Sequence, residues 1–304
     1  MRLKMRKSRK LIVTGGNGLL GSRVAAAGLD KFEVIATYNN NPVKAGYRLV
    51  PLDITRKADV FRLIVDEGPD YVVHAAAMTD VDRCEDDRAE AMKINAGGTA
   101  NVAEACKETG AKMVYISTDA VFDGRTGMYK EDDRTDPINY YGRTKLEGEK
   151  AVEKAGAEYI IARISVLYGW NVKNRPNYVT WLLGELKDGR QVKVVTDQWN
   201  SPTFADNCAQ ILLRLLENGK SGTYHASGSE RISRFDFAGK VAEIFGFDPS
   251  LMTPVRSSEL KMKAKRPIDS SLNVDKITND LGTKPSGIEE SLMQMKKQYK
   301  FTIL

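Results

Sequence analysis

Gly15, Gly18 and Gly21 are spaced three apart between a short apolar run, Lys10-Leu11-Ile12-Val13-Thr14, and a helical stretch from Ser22 to Leu29. No other feature constrains the chain more. Glycines at a strand-to-helix junction permit a tight turn and the close approach of a pyrophosphate, which then sits at the helix N-terminus. The plainer alternative is a glycine-rich turn with no ligand. On the first reading Gly15, Asn17, Gly18, Leu19 and Leu20 are cofactor-binding candidates.

The pattern after this turn repeats strand and helix. Phe32–Tyr38, Leu49–Leu52, Asp70–His74, Lys112–Ile116 and Tyr159–Ile164 read as strands, and Lys57–Glu67 and Ala89–Thr109 as helices. That alternation predicts an α/β fold, a doubly wound parallel (Rossmann) sheet, with a smaller C-terminal substrate-binding lobe. The expected division is a basic arm over 1–10, the dinucleotide-binding domain over 11–170 completed by 191–217, and the lobe over 171–304, mainly 171–190 and 223–304. Helices are expected over Tyr178–Asp188, Phe204–Glu217 and from a Ser233 cap to Phe245, with short strands at Gln191–Val195 and Thr223–Ala226. Pro249 to Asp275 reads as loops. Gly97 and Gly98 inside the long helix cost about 1 kcal/mol each against alanine, which suggests close packing or a kink near Asn95.

Ligands of such sheets bind beyond the C-terminal strand ends. The small residues Ala75, Ala76 and Ala77 after His74 leave room there, and His74 itself is read as structural. The second strand runs into Tyr38-Asn39-Asn40-Asn41 with no acid, where an acid would bond a ribose and favour NAD. Asn39 is therefore a cofactor candidate. Lys44 and Arg48 are either 2′-phosphate partners or solvated charges, so NADP is favoured over NAD. Asp53, followed by Ile54, either meets the adenine or caps the next helix.

Charge excludes several classes. The net charge of +6 is contributed by Arg2, Lys4, Arg6, Lys7, Arg9 and Lys10, since the remaining 40 basic residues balance 40 acidic ones. No aromatic-interleaved basic stripe follows, so no nucleic-acid partner is expected. No apolar run approaches the roughly 20 residues of a membrane span, and the N-terminus lacks the apolar core of a signal peptide. Cys84, Cys106 and Cys208 are few and scattered, which suits reduced thiols in a cytoplasmic protein, and with only two histidines no metal site is expected.

Tyr141 and Lys145 lie four apart on a helix that follows the Asp136-Pro137 turn, so both face one side. A phenol near pKa 10 beside a positive charge is a tunable general acid/base. Thr118, at the end of the fifth strand in Ser117-Thr118-Asp119, is delivered to the same edge.

These motifs together resemble the extended short-chain dehydrogenase/reductases. The segments Ala77–Asp82, Ser117–Gly124, Tyr141–Lys145, Asp197–Thr203, and Arg266-Pro267 with Ser271-Leu272-Asn273 are similar to the dTDP-4-dehydrorhamnose reductase family. The resemblance implies a nucleotide-sugar substrate whose C4 carbonyl takes a proton from Tyr141. Lys145 would lower the Tyr141 pKa and hold the nicotinamide ribose. Thr118 would bond the carbonyl oxygen, and Asn95 would support a proton relay. Thr79, Val81, Asp119 and Gln198 would line the sugar-nucleotide pocket. It also implies a homodimer. Related dehydratases follow the threonine with Asp-Glu, whereas here Asp119 precedes Ala120, which argues against elimination. A nucleotide-sugar 4-epimerase needs the same tyrosine and lysine; the alternative from another class is an NADP-binding regulatory subunit of the methionine adenosyltransferase type, against which the intact Thr118, Tyr141 and Lys145 favour an enzyme. One departure stands out. A tryptophan often follows the sixth-strand arginine in these reductases, and here the neighbourhood is Ser165-Val166-Leu167-Tyr168.

Overall fold

The computed structural model describes residues 9–40, 42–171 and 176–299. Residues 1–8 of the basic arm, Asn41 and part of the 171–177 loop lie outside the described residues. β1 (Lys10–Thr14) leads into α1 (Leu19–Gly28), which starts three residues before the expected Ser22. Gly18 is its N-cap, and the Ser22 amide donates to the Gly18 carbonyl at 3.0 Å to close the first turn. β2 (Glu33–Tyr38), β3 (Arg48–Pro51), α2 (Lys57–Glu67) and β4 (Tyr71–His74) follow. Next come α3 (Val81–Asp86), α4 (Arg88–Met92), a π-helical segment (Lys93–Gly98), α5 (Thr99–Thr109), β5 (Lys112–Thr118), α6 (Tyr140–Ala155) and β6 (Tyr159–Ile164). The long helix expected over 89–109 is thus interrupted at its glycines. Gly98 packs so closely that a Cβ there would meet Ile54 Cδ1 at 2.7 Å.

The remaining elements are β7 (Leu167–Tyr168), α7 (Tyr178–Lys187), β8 (Val192–Val195), β9 (Trp199–Asn200), β10 (Thr203–Phe204), α8 (Ala205–Glu217) and β11 (Gly222–His225). They end with β12 (Ile232–Ser233), α9 (Arg234–Phe245), β13 (Met252–Val255), α10 (Asp275–Leu281) and α11 (Ile288–Tyr299). Seven parallel strands form one sheet in the order β11-β6-β5-β4-β1-β2-β3. The chain reverses its direction of travel across the sheet between β1 and β4. A crevice opens there at the C-terminal ends. α1 and α8 bury Val24, Leu212 and Leu215 on one face, and α2, α5 and α6 bury Val60, Val102 and Val152 on the other. The lobe has its own core around Tyr168, Leu182, Phe237 and Leu292.

Two segments differ from the expected division. β8 does not join the large sheet; it pairs with β13, inside the stretch expected to be loops. Pro254 hid that strand, because a proline removes a ladder donor and is tolerated only at an edge. Conversely β11, expected in the lobe, pairs with β6 as the seventh strand of the large sheet. The arm expectation also shortens. Arg9 donates to the Tyr71 hydroxyl at 2.8 Å and stacks over Phe32, and Lys10 pairs with Glu67 at 2.8 Å, so these two charges anchor β1. Cys84, Cys106 and Cys208 are buried thiols, and burial pushes Cys106 up to about 12. No helix among the described residues is long and apolar enough to cross a membrane.

Candidate active site

Parallel strands carry their C-terminal ends to one edge, and there a cavity of about 640 Å³ opens. One wall is the first turn of α1, with Asn17, Gly18, Leu19 and Leu20. The floor is made by Ala75 and Ala77 after β4 and by Thr118 and Asp119 at the end of β5, with Tyr141 and Lys145 projecting from α6. Thr79 and Val81 stand at the rim, and Gln198 faces in from the lobe.

The glycine turn suits a dinucleotide. Gly15 holds φ at 72°, and a Cβ there would meet the Ala76 amide nitrogen at 2.8 Å. A Cβ on Gly21 would overlap the Gly15 carbonyl. These two glycines pack the loop against the β4 exit. Gly18 differs: a Cβ on it would meet only the Gly15 oxygen, at 3.1 Å, so its open side faces the cavity. α1 carries no acidic residue in its first turn and no side-chain cap, so no acidic side chain of that turn competes for its N-terminal amides.

Lys145 is buried and Tyr141 half-buried, and Thr118 lies beside the Tyr141 hydroxyl. The expected electrostatics do not hold here. Burial raises the Tyr141 phenol above its usual value, with Thr118 opposing. Burial lowers Lys145 to about 7 against the opposing charge of Glu149, and its ammonium lies 4.1 Å from the Tyr115 ring centroid. The cost of burying a charge therefore outweighs the mutual effect that spacing alone predicts.

This shift has a measurable consequence. Lys145 ionises at about 7 when folded and 10.5 when unfolded, so the unfolded chain binds more protons between those values. Stability then rises with pH across that window, by at most about 1.4 kcal/mol per pH unit from this group. The ligand-free protein should gain stability from pH 7 to 9 relative to Lys145→Met, measured by urea denaturation at each pH. Parallel profiles for the two proteins would show that Lys145 stays charged on folding.

Asn95 is placed beneath the site. Its Nδ2 donates to the Met78 carbonyl at 3.0 Å and to Thr144 Oγ1 at 2.9 Å, and its Oδ1 accepts from the Met78 amide at 2.8 Å. With both amide protons engaged it fixes the β4 exit against α6 and does not line the cavity. Gly15, Asn39, Asp53, Ile54 and Ala76 also lie off the cavity lining. Asp53 Oδ1 accepts from the Thr55 amide and hydroxyl, closing a turn, while the α2 N-cap is Arg56. Ile54 is core, against Gly98. Asn39 is exposed at the end of β2. Arg48 sits at the opposite, N-terminal end of β3 and pairs with Glu67 at 2.7 Å, which removes it as a phosphate partner and leaves Lys44. His74 is structural, held between Thr14 at 2.6 Å and Thr99 at 3.1 Å, and burial lowers it to about 3.

Asp119 borders the cavity with its oxygens occupied. Oδ1 accepts from Thr118 at 3.0 Å, and Oδ2 from Ser165 at 2.7 Å and Ser270 at 2.6 Å. It joins two strand ends to the lobe. Residues without an assigned role in the sequence reading also face the cavity: Asn139, Val166, Asn200, Arg234, Arg266 and Ser270. Asn139 is the α6 N-cap, accepting from Gly142 at 2.8 Å, and its place before the tyrosine was a readable cap signal. Arg234 opens α9 and gave no signal beyond Ser233. Val166 lies in the Ser165–Tyr168 stretch, the neighbourhood where the resembled family often carries a tryptophan. Its φ of 35° is strained for a β-branched residue.

The profile of the RmlD substrate binding domain matches residues 9–301. A probable low-salt glycan biosynthesis reductase, Agl14, of Haloferax volcanii is 33% identical over 291 residues, covering 94% of this chain and 97% of that protein. The methionine adenosyltransferase 2 subunit beta of Mus musculus is 31% identical, over 94% of this chain and 87% of that one. The crystal structure of dTDP-4-dehydrorhamnose reductase from Bacillus anthracis in complex with NADP superposes with a TM-score of 0.87 at 31% identity, covering 96% of this chain and 99% of that one.

Proposed function

The chain belongs to the RmlD substrate binding domain family, and on that premise we propose that it is an NAD(P)H-dependent reductase of a nucleotide-linked 4-keto-6-deoxy sugar. The observation that carries this reading is the meeting of Tyr141, Thr118 and Lys145 with the open N-terminus of α1 in one cavity. The nicotinamide nucleotide, when bound, supplies hydride to the sugar C4. Asn17, Gly18, Leu19 and Leu20 hold its diphosphate, and Ala75, Ala77 and Lys145 line its path toward the reacting end.

Tyr141 gives the proton to the C4 oxygen. Burial keeps its phenol protonated near neutrality, the state a proton donor needs. Thr118 orients that hydroxyl while Asp119 holds Thr118 in turn. Lys145, near its midpoint at neutral pH, can replace the proton that leaves. β2 ends without an acid and so presents nothing to repel a 2′-phosphate, which favours NADPH over NADH. A homodimer through the helices carrying Asn95 and Tyr141 accompanies this reading; sizing by light scattering tests it.

The test is nicotinamide oxidation, followed by absorbance, with dTDP-4-dehydro-6-deoxy-L-mannose and each reduced nucleotide. Turnover with NADPH ahead of NADH is expected. A folded chain that binds NADPH without turnover would favour the regulatory reading, which the likeness to the mouse subunit beta keeps in view. A nucleotide that stays bound through purification and turnover would favour a 4-epimerase.

A further inference from the structure

Tyr115 is fully buried on β5, between His74 of β4 and Ile161 of β6. The Lys145 ammonium rests over its ring, 4.1 Å from the centroid, and Lys145 is itself only 3% exposed. Among the described residues no carboxylate forms an ion pair with Lys145; Glu149, one turn on along α6, gives its carboxylate to Arg163 and Ser117. A buried charge needs a partner, and the face of an aromatic ring is one, because its quadrupole attracts a cation. We propose that Tyr115 is a positioning residue for the reaction: its ring seats the Lys145 ammonium at the cavity floor and keeps it charged beside Tyr141. The bearing on turnover rests on the reductase reading above.

The ring is fixed in place. Its hydroxyl donates to the Lys145 carbonyl at 3.3 Å, so Tyr115 grips α6 at the backbone as well as at the side chain. Gly148 makes room for that contact: a Cβ there would meet the phenol Cζ at 2.8 Å and overlap its oxygen. The His74 imidazole stacks alongside, with centroids 5.8 Å apart and planes at 19°. A ring so held determines where the ammonium sits as well as that it is charged.

The other titratable groups around this pair come from every element packed on it. From β4, His74 is kept neutral by burial, at about 3. On β5 and α6, burial raises the Tyr115 and Tyr141 phenols. Cys84 of α3 is a thiol pushed up to about 11. Asp119, just past β5, accepts from Thr118, Ser165 and Ser270, and Arg163 of β6 is paired with Glu149. Of this set Lys145 is the group brought to about 7. Its charge is therefore the one that a change in the ring beneath it would move near neutral pH.

The experiment compares wild type with Tyr115→Phe, which keeps the π-face, and Tyr115→Leu, which removes it and leaves the site apolar. Each is made with and without Lys145→Met, and the stability difference within each pair is followed against pH by urea denaturation of the ligand-free protein. That difference begins to rise at the pKa of Lys145 in the folded state. A seating ring predicts the same onset in wild type and Tyr115→Phe. In Tyr115→Leu the onset should fall by about one pH unit, a tenfold shift toward the neutral amine. Fluorinated phenylalanines at position 115 keep the shape and weaken the π-face, so they should lower the onset stepwise; they carry the test where the leucine variant does not fold. An unmoved onset, with stability lowered equally at every pH, would make Tyr115 core packing and overturn the proposal. A shift with leucine but none across the fluorinated series would assign the effect to ring volume and overturn it as well. In turnover, the basic limb of kcat/KM should move down with the onset. Wild type that never reduces the sugar is a different result: it overturns the reductase reading and the role in the reaction with it, while the onset still decides whether the ring seats Lys145.

Discussion

Replacing Tyr141 by phenylalanine should lower kcat by about 10²–10⁴-fold, the usual contribution of a positioned general acid, while NADPH affinity changes little. The substitution deletes one oxygen from a half-buried ring whose hydroxyl lies beside Thr118. The residues expected to hold the diphosphate lie on another element, at the start of α1. Chemistry and cofactor binding should therefore separate. Steady-state rates, with NADPH affinity from fluorescence titration, check this. A kcat within a few-fold of wild type would remove Tyr141 as proton donor. A parallel collapse of NADPH binding would instead show that the ring shapes the cofactor pocket.

Glu149→Gln should destabilise the protein by about 3–5 kcal/mol, because it leaves a buried guanidinium without its counter-charge. Glu149 and Arg163 are 4% and 5% exposed. Arg163 donates through Nε at 3.0 Å and Nη2 at 2.8 Å, Ser117 donates to the same carboxylate at 2.5 Å, and the guanidinium stacks over Phe122. For a chain of this size the loss corresponds to a melting shift on the order of 10 °C. Replacing both partners by apolar residues, Glu149→Leu with Arg163→Met, should recover much of it, since a buried pair gains little over well-packed hydrophobic side chains. Chemical denaturation of the single and double variants decides this. A single variant as stable as wild type would mean the pair is hydrated. Glu149 also opposes the fall in the Lys145 pKa, so its loss should drive Lys145 further toward the neutral form.

Local signals made the large sheet legible. The glycine turn after β1, the apolar runs of β4 to β6 and the cap before α9 are each written within a few residues, at periods the backbone imposes. The same holds for Tyr141 and Lys145, which one helical turn places on one face. Other features needed the tertiary structure. β8 and β11 are both short apolar runs, and only their distant partners, β13 and β6, decide which sheet each joins. Arg48 looked free to meet a phosphate until the register put it at the wrong end of β3, beside Glu67. Asn95 was expected to support a proton relay and Asp119 to line the pocket; Asp119 does line it, but only the tertiary structure shows that neighbours from distant segments occupy the polar atoms of both. Asn200 and Arg234 reach the cavity only because the lobe folds over the strand ends. The sequence by itself determined the fold class and the helix that carries the tyrosine and lysine, since both follow from short-range periodicity. The tertiary structure alone decided which polar atoms are already paired and which way burial moves Tyr141 and Lys145, because desolvation depends on everything packed around a group and not on its neighbours in the chain.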